Sequence, residues 1–137
     1  MIQDEDLYRL VFEFADEQWH SWCSNDEDGW QYVLVEQYDT VDKSSCMCRG
    51  KVKKAWVRDD SGLREISTSE HKVYSDKGDE VVWRYVRVEF YIYPDKSRMA
   101  LGQRGASRAG RGGRYLIQNT AKGLKLEPDP TGAFWMS

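Results

Sequence analysis

Residues 79–93 read Asp-Glu-Val-Val-Trp-Arg-Tyr-Val-Arg-Val-Glu-Phe-Tyr-Ile-Tyr. Successive side chains on a strand point to opposite faces, so this stretch presents two different surfaces. Val82, Arg84, Val86, Val88, Phe90 and Ile92 form one. It is almost wholly aliphatic and reads as core. Val81, Trp83, Tyr85, Arg87, Glu89, Tyr91 and Tyr93 form the other, which is aromatic with an arginine and a glutamate set into it. A face of that kind either packs under a second layer or binds something flat. Pro94 ends the pairing, because proline cannot donate to a ladder.

Upstream, residues 4–23 carry a helical pattern. Arg9, Glu13, Asp16, Glu17 and His20 fall three and four apart, and apolar residues fill a wide remaining arc. Asp4 or Asp6 is placed to cap the start. Residues 30–38 read as an internal strand and residues 39–50 as a polar loop. Residues 51–58 and 63–67 read as a hairpin over Asp59-Asp60-Ser61-Gly62. Lys51, Lys53 and Lys54 mark its first arm as solvent-facing or an edge. Residues 71–75 read as a weak strand.

Downstream, residues 95–114 read as a basic glycine-rich loop between strands. Residues 114–118 and 124–127 form a last hairpin. Ala133-Phe134-Trp135-Met136 is an apolar tail that docks. The sum is one domain over residues 1–137, of the α+β class. An N-terminal helix packs on a twisted, mostly antiparallel sheet of five to seven strands.

Composition narrows the function classes. The 137 residues carry a net charge of −3. Residues 1–95 hold 12 Lys and Arg against 21 Asp and Glu, whereas residues 96–126 hold eight cations and no acid. An asymmetry of this kind speaks of partners more than of fold. No apolar run approaches the ~20 residues of a membrane helix, so no membrane partner is expected. The acidic start lacks the apolar core of a signal peptide, which points to the cytoplasm. Three cysteines, Cys23, Cys46 and Cys48, do not make a disulfide framework.

The densest chemistry is in residues 96–114, where Arg98, Arg104, Arg108, Arg111 and Arg114 alternate with small residues. Glycines let a polyanion approach the backbone, and arginine forks match phosphate oxygens. Arg111-Gly112-Gly113 resembles the arginine-glycine segments of RNA-binding proteins, which track the phosphate backbone and stack on bases. The resemblance implies a nucleic acid, a nucleotide or a nucleoprotein as ligand. Trp83, Tyr85, Arg87 and Tyr91 on the aromatic face are the secondary contacts. The glycines from Gly105 to Gly112 also mimic a P-loop. The stretch lacks its Lys and its Ser or Thr, and strand rather than helix follows.

The acidic half supports a second reading. Glu13, Asp16 and Glu17 belong to a negative helix face that suits a basic partner protein. Small acidic inhibitors of the immunity and phage counter-defence type work through such surfaces. His20, Cys23, Cys46 and Cys48 are the candidate zinc ligands, but Cys46-x-Cys48 is tighter than ordinary zinc spacing, and no metal or cofactor is expected. His20 and His71 lie in no recognisable catalytic signature, so the expectation is a binding protein rather than an enzyme.

Overall fold

Leu7, Val11 and Ala15 recur four apart and are fully buried. They hold helix α1, Asp4–Gln18, against one face of a sheet. The structure, a computed structural model, describes residues 2–24, 30–42, 47–80, 85–105, 110–132 and 134–136; of residues 77–80 and 136 it describes the backbone alone. The N-cap of α1 is Gln3, with no side-chain cap. Asp4 and Asp6, the expected caps, lie inside the first turn instead, where their charge suits the helix dipole. Asp4 also meets Lys96 Nζ at 3.1 Å. The helix expected to run regularly to residue 23 widens after Gln18 into a π-helical turn, Trp19–Cys23. The Ser24 N–H closes it on the Trp19 carbonyl at 2.9 Å. Trp19 and Cys23 join the core, while Trp22 stays 43% exposed.

The strands are β1 (Tyr32–Asp42), β2 (Met47–Asp59), β3 (Gly62–Ile66), β4 (Tyr85–Ile92), β5 (Arg98–Gly105), β6 (Gly110–Thr120), β7 (Gly123–Pro128) and β8 (Phe134–Met136). Their order across the sheet is β3-β2-β1-β4-β5-β6-β7, with β8 paired to β6. Every pairing is antiparallel except β1 with β4. The α+β architecture thus matches the reading of the sequence. The hairpin over Asp59 to Gly62 does too, with Gly62 at φ 102°, a left-handed position that disfavours a side chain.

Three stretches depart from that reading. Residues 39–50, expected as a polar loop, are strand over residues 39–42 and 47–50, paired with each other as the ends of β1 and β2. Residues 71–75, expected as a strand, belong to helix α2, Thr68–Glu80. A parallel β1–β4 pair needs a crossover, and α2 forms part of it. Ser67 starts the helix by accepting the Glu70 N–H at 3.2 Å. The Ser67-x-x-Glu70 spacing was the overlooked start signal. The expected loop over residues 95–114 is mostly the β5–β6 hairpin, with Arg104 opposite Gly110 and Gly102 opposite Gly112. Its glycines answer to packing. A Cβ at Gly112 would stand 2.5 Å from Trp135 Nε1, one at Gly102 2.7 Å from Trp135 Cζ2, and one at Gly113 would overlap the Phe134 ring. Glycine in a strand marks close approach by another group, here the docked tail. Since β5 takes one edge of β6, β7 and β8 lie end to end along the other, separated by the Pro128–Gly132 break.

On the α1 side the core is built from Val33, Val35, Val86, Val88, Phe90, Met99 and Leu101. This is the aliphatic face that the alternation in residues 79–93 predicts. The opposite face buries Tyr32, Leu34, Ala55, Val57, Ile66 and Tyr85, with Tyr74 of α2 packed over them. Among the described residues no helix is long and apolar enough to cross a membrane.

Candidate functional site

Register splits the five arginines. Arg98, Arg104 and Arg114 point to the face away from α1, while Arg111, opposite Gln103, points to the α1 side. Arg108 lies outside the described residues, as does Trp83. Arg98 Nε and Arg114 Nε reach the same oxygen of Asp129, at 3.1 and 2.7 Å. Asp129 is 2% exposed and lies in the break between β7 and β8. Its carboxylate accepts the Thr131 hydroxyl at 2.7 Å and the Thr131 N–H at 2.9 Å. These bonds, with the two guanidinium groups, hold its pKa well below the usual carboxylate range. Arg104 Nη2 meets Glu89 Oε1 at 2.5 Å. Three of the expected phosphate contacts therefore bind carboxylates of this chain. Arg111 is exposed and, among the described residues, makes no ion pair.

The aromatic face of β4 is also largely spoken for. Tyr85 is buried and stacks on Tyr32 at 5.3 Å, and its hydroxyl accepts from Arg87 at 2.8 Å. Tyr85, expected as a secondary contact, is thus taken up by the core, and Arg87 is engaged by this chain's own Tyr85 and Glu36. Tyr91 is half-buried, edge-on to Tyr93 at 5.1 Å.

Around Arg87 the sheet carries a buried charged cluster. Glu36 and Glu89 are in register on β1 and β4. Glu36, 1% exposed, meets Arg87 Nε at 2.9 Å through one oxygen and His71 Nε2 at 2.5 Å through the other. Arg87 also donates to Ser75 Oγ at 2.9 Å. His71 and Ser75 belong to α2, so the cluster anchors that helix to the sheet. Burial pushes the Glu89 carboxyl up; Arg104 opposes this and Glu36 adds to it. Burial, then the fields of Glu89 and Glu36, also push up the Cys48 thiol. A thiol held protonated is a poor nucleophile and metal ligand, so the cluster does not activate Cys48.

Cys23 is buried in the α1 core, and burial alone pushes its thiol up to about 12. His20, three residues earlier, is exposed. The two do not face a common site. Among the described residues, which exclude Cys46, no group of three His, Cys, Asp or Glu side chains is set to hold a metal ion.

Helix α1 has the opposite character. Glu5, Arg9, Glu13, Asp16 and Glu17 are all exposed. Asp16 binds Arg58 Nε at 2.6 Å. Glu5, Glu13 and Glu17 make no ion pair among the described residues. Open grooves run along both sides of this stripe. One is bounded by Arg58, Gly62 and Leu63 of the β2–β3 hairpin, the other by Asn119, Lys122 and Leu124 of the β6–β7 hairpin. Glu13 and Arg9 line both.

A further group went unnoticed in the sequence. Trp22 of the π-helical turn and Trp30 pack edge to face at 5.3 Å. The Trp30 ring lies where a Gly105 side chain would be, 2.7 Å from an added Cβ. The apolar arc of residues 4–23 placed Trp22 in the core; only the change of helical pitch turns it outward.

No family model, no curated protein and no solved structure matches this chain.

Proposed function

We propose that this is a non-catalytic binding protein that docks the acidic stripe of α1 onto a basic surface of a partner protein. Inhibitors that cover such a surface are the functional class it fits. The observation that carries the reading is the state of Glu5, Glu13 and Glu17. They are exposed and, among the described residues, make no ion pair, on a helix whose other side is fixed by fully buried Leu7, Val11 and Ala15. A rigid row with a net negative charge, four acids against Arg9, steers an oppositely charged partner and selects its orientation. Each rim charge adds only about 0–1 kcal/mol, so the stripe acts as a set.

The test is affinity capture from nuclease-treated lysate of the native host, using the parent and a Glu5→Lys, Glu13→Lys, Glu17→Lys variant. The expected result is a basic protein held by the parent, released by salt, and absent with the variant. Equal capture by both proteins would end this reading.

Contact with a phosphate-bearing ligand is the second reading. Arg111 favours it, since it is exposed and bound to no carboxylate of this chain among the described residues. Arg98, Arg104 and Arg114 contribute less, each being already engaged by Asp129 or Glu89.

A further inference from the structure

Trp22, Trp30 and Arg111 come from three separate parts of the chain, and the fold gathers them at one end of the sheet, on the α1 side. Trp30 covers Gly105, so its ring lies on the face to which the side chain of residue 105 would point. Gln103, two residues before Gly105, is in register with Arg111. Arg111 therefore shares that face and lies one diagonal step from Gly105, a spacing that a long side chain spans. Trp22 leans on Trp30 at an interplanar angle of 61° and keeps 43% of its surface in water. An exposed indole braced by a second indole loses little freedom when a flat ring stacks on it.

We infer that this corner binds a nucleobase bearing a phosphate, with the base against Trp22 and the phosphate on Arg111. The inference rests on the phosphate reading of Arg111 and adds the base, which that reading does not require. Gly105 is integral to it: a side chain there would displace Trp30, and with it the brace for Trp22. The same chemistry is offered by a free nucleotide and by single-stranded nucleic acid. Every base has a π-face to stack on an indole, so little sequence preference is expected.

The experiment measures binding of three probes at low salt: inorganic phosphate, a nucleoside monophosphate, and a short fluorescent poly-dT strand. The proteins are the parent, Trp22→Ala and Arg111→Gln, with circular dichroism to confirm folding. Trp22 is exposed, so its removal leaves the core intact. The parent is expected to bind the strand or the monophosphate and to be indifferent to phosphate alone. Binding of the monophosphate marks a nucleotide site, and binding of the strand alone marks a nucleic-acid one. Trp22→Ala should weaken binding on the order of ten- to a hundredfold at unchanged salt slope. Arg111→Gln should weaken it and reduce the salt slope by about one. If Trp22→Ala binds like the parent while Arg111→Gln does not, the corner is overturned and the phosphate reading stands. If phosphate alone binds as tightly as the monophosphate, the base plays no part and the inference falls. If the parent binds none of the probes, both fall.

Discussion

Trp135 lies across Gly112, close enough that a Cβ on residue 112 would stand 2.5 Å from the indole nitrogen. This contact recasts the glycine-rich segment as a seat for the C-terminal strand. Gly112→Val should force Trp135 off β6 and destabilise the fold by about 1–3 kcal/mol, the usual range for overpacking. Trp135→Ala alone also loses stability. The double variant should cost less than the sum of the two, because the clash disappears with the indole. Thermal denaturation of the four proteins reads the coupling. Additive losses would mean that Gly112 is needed for some other reason.

The same contact shows why the chain was only partly legible. Period-two alternation gave the central strand over residues 85–92 and its aliphatic face, because hydrophobic patterning is local; Asp79 and Glu80, expected in that strand, end α2 instead, and residues 81–84 lie outside the described residues. The role of Gly102, Gly110 and Gly112 is set by a tail more than 20 residues away, and nothing local separates a seat for Trp135 from a mobile loop. The internal partners of the arginines were hidden for a related reason. Asp129 captures Arg98 and Arg114 only once β7 and β8 have lined up on β6. Helix α2 is a different case. Its Ser67 and Glu70 start signal was present in the sequence, but a short polar helix shows weak periodicity. The acidic stripe of α1 was readable because three- and four-residue spacing puts its charges on one side.

Asp129 should make the stability of the fold depend on pH. Its pKa is lowered in the folded protein from an ordinary 3.8, by the Thr131 hydrogen bonds first and then by Arg114 and Arg98. A lowered carboxylate stabilises the fold above its unfolded pKa and loses that contribution as pH falls. The parent should therefore be more stable than Asp129→Asn at neutral pH. The gap should close as pH drops below about 4. Melting curves of both proteins between neutral and acid pH test this; a gap independent of pH would contradict it.

Glu89 should behave in the opposite sense. Burial raises its pKa above the ordinary 4.5 despite Arg104. A raised carboxyl favours folding while protonated, and that advantage fades as pH climbs through its folded value. The stability of the parent relative to Glu89→Gln should thus be greatest in acid and should decline as pH rises past about 4.5. The two carboxylates then give pH profiles of opposite slope in one molecule, which guards against a general acid effect. Parallel profiles for Asp129→Asn and Glu89→Gln would refute both assignments.

The Glu36 cluster separates the stability of the fold from its surface function. Glu36 is 1% exposed and relies on Arg87 and His71. Removing one partner of a buried pair strands the other charge, which typically costs about 3–5 kcal/mol. Arg87→Met should fall near the lower end, since His71 still faces Glu36. Arg87→Met with Glu36→Leu removes both charges of the pair and should recover much of the loss, because a buried pair replaced by apolar groups is often near neutral. The cluster lies on the face of the sheet opposite α1, and neither substitution touches Glu5, Glu13 or Glu17. The double variant should therefore keep the partner captured through the α1 stripe, with a melting midpoint nearer to the parent than to Arg87→Met. Loss of capture from a folded double variant would place the binding surface on the α2 side of the sheet.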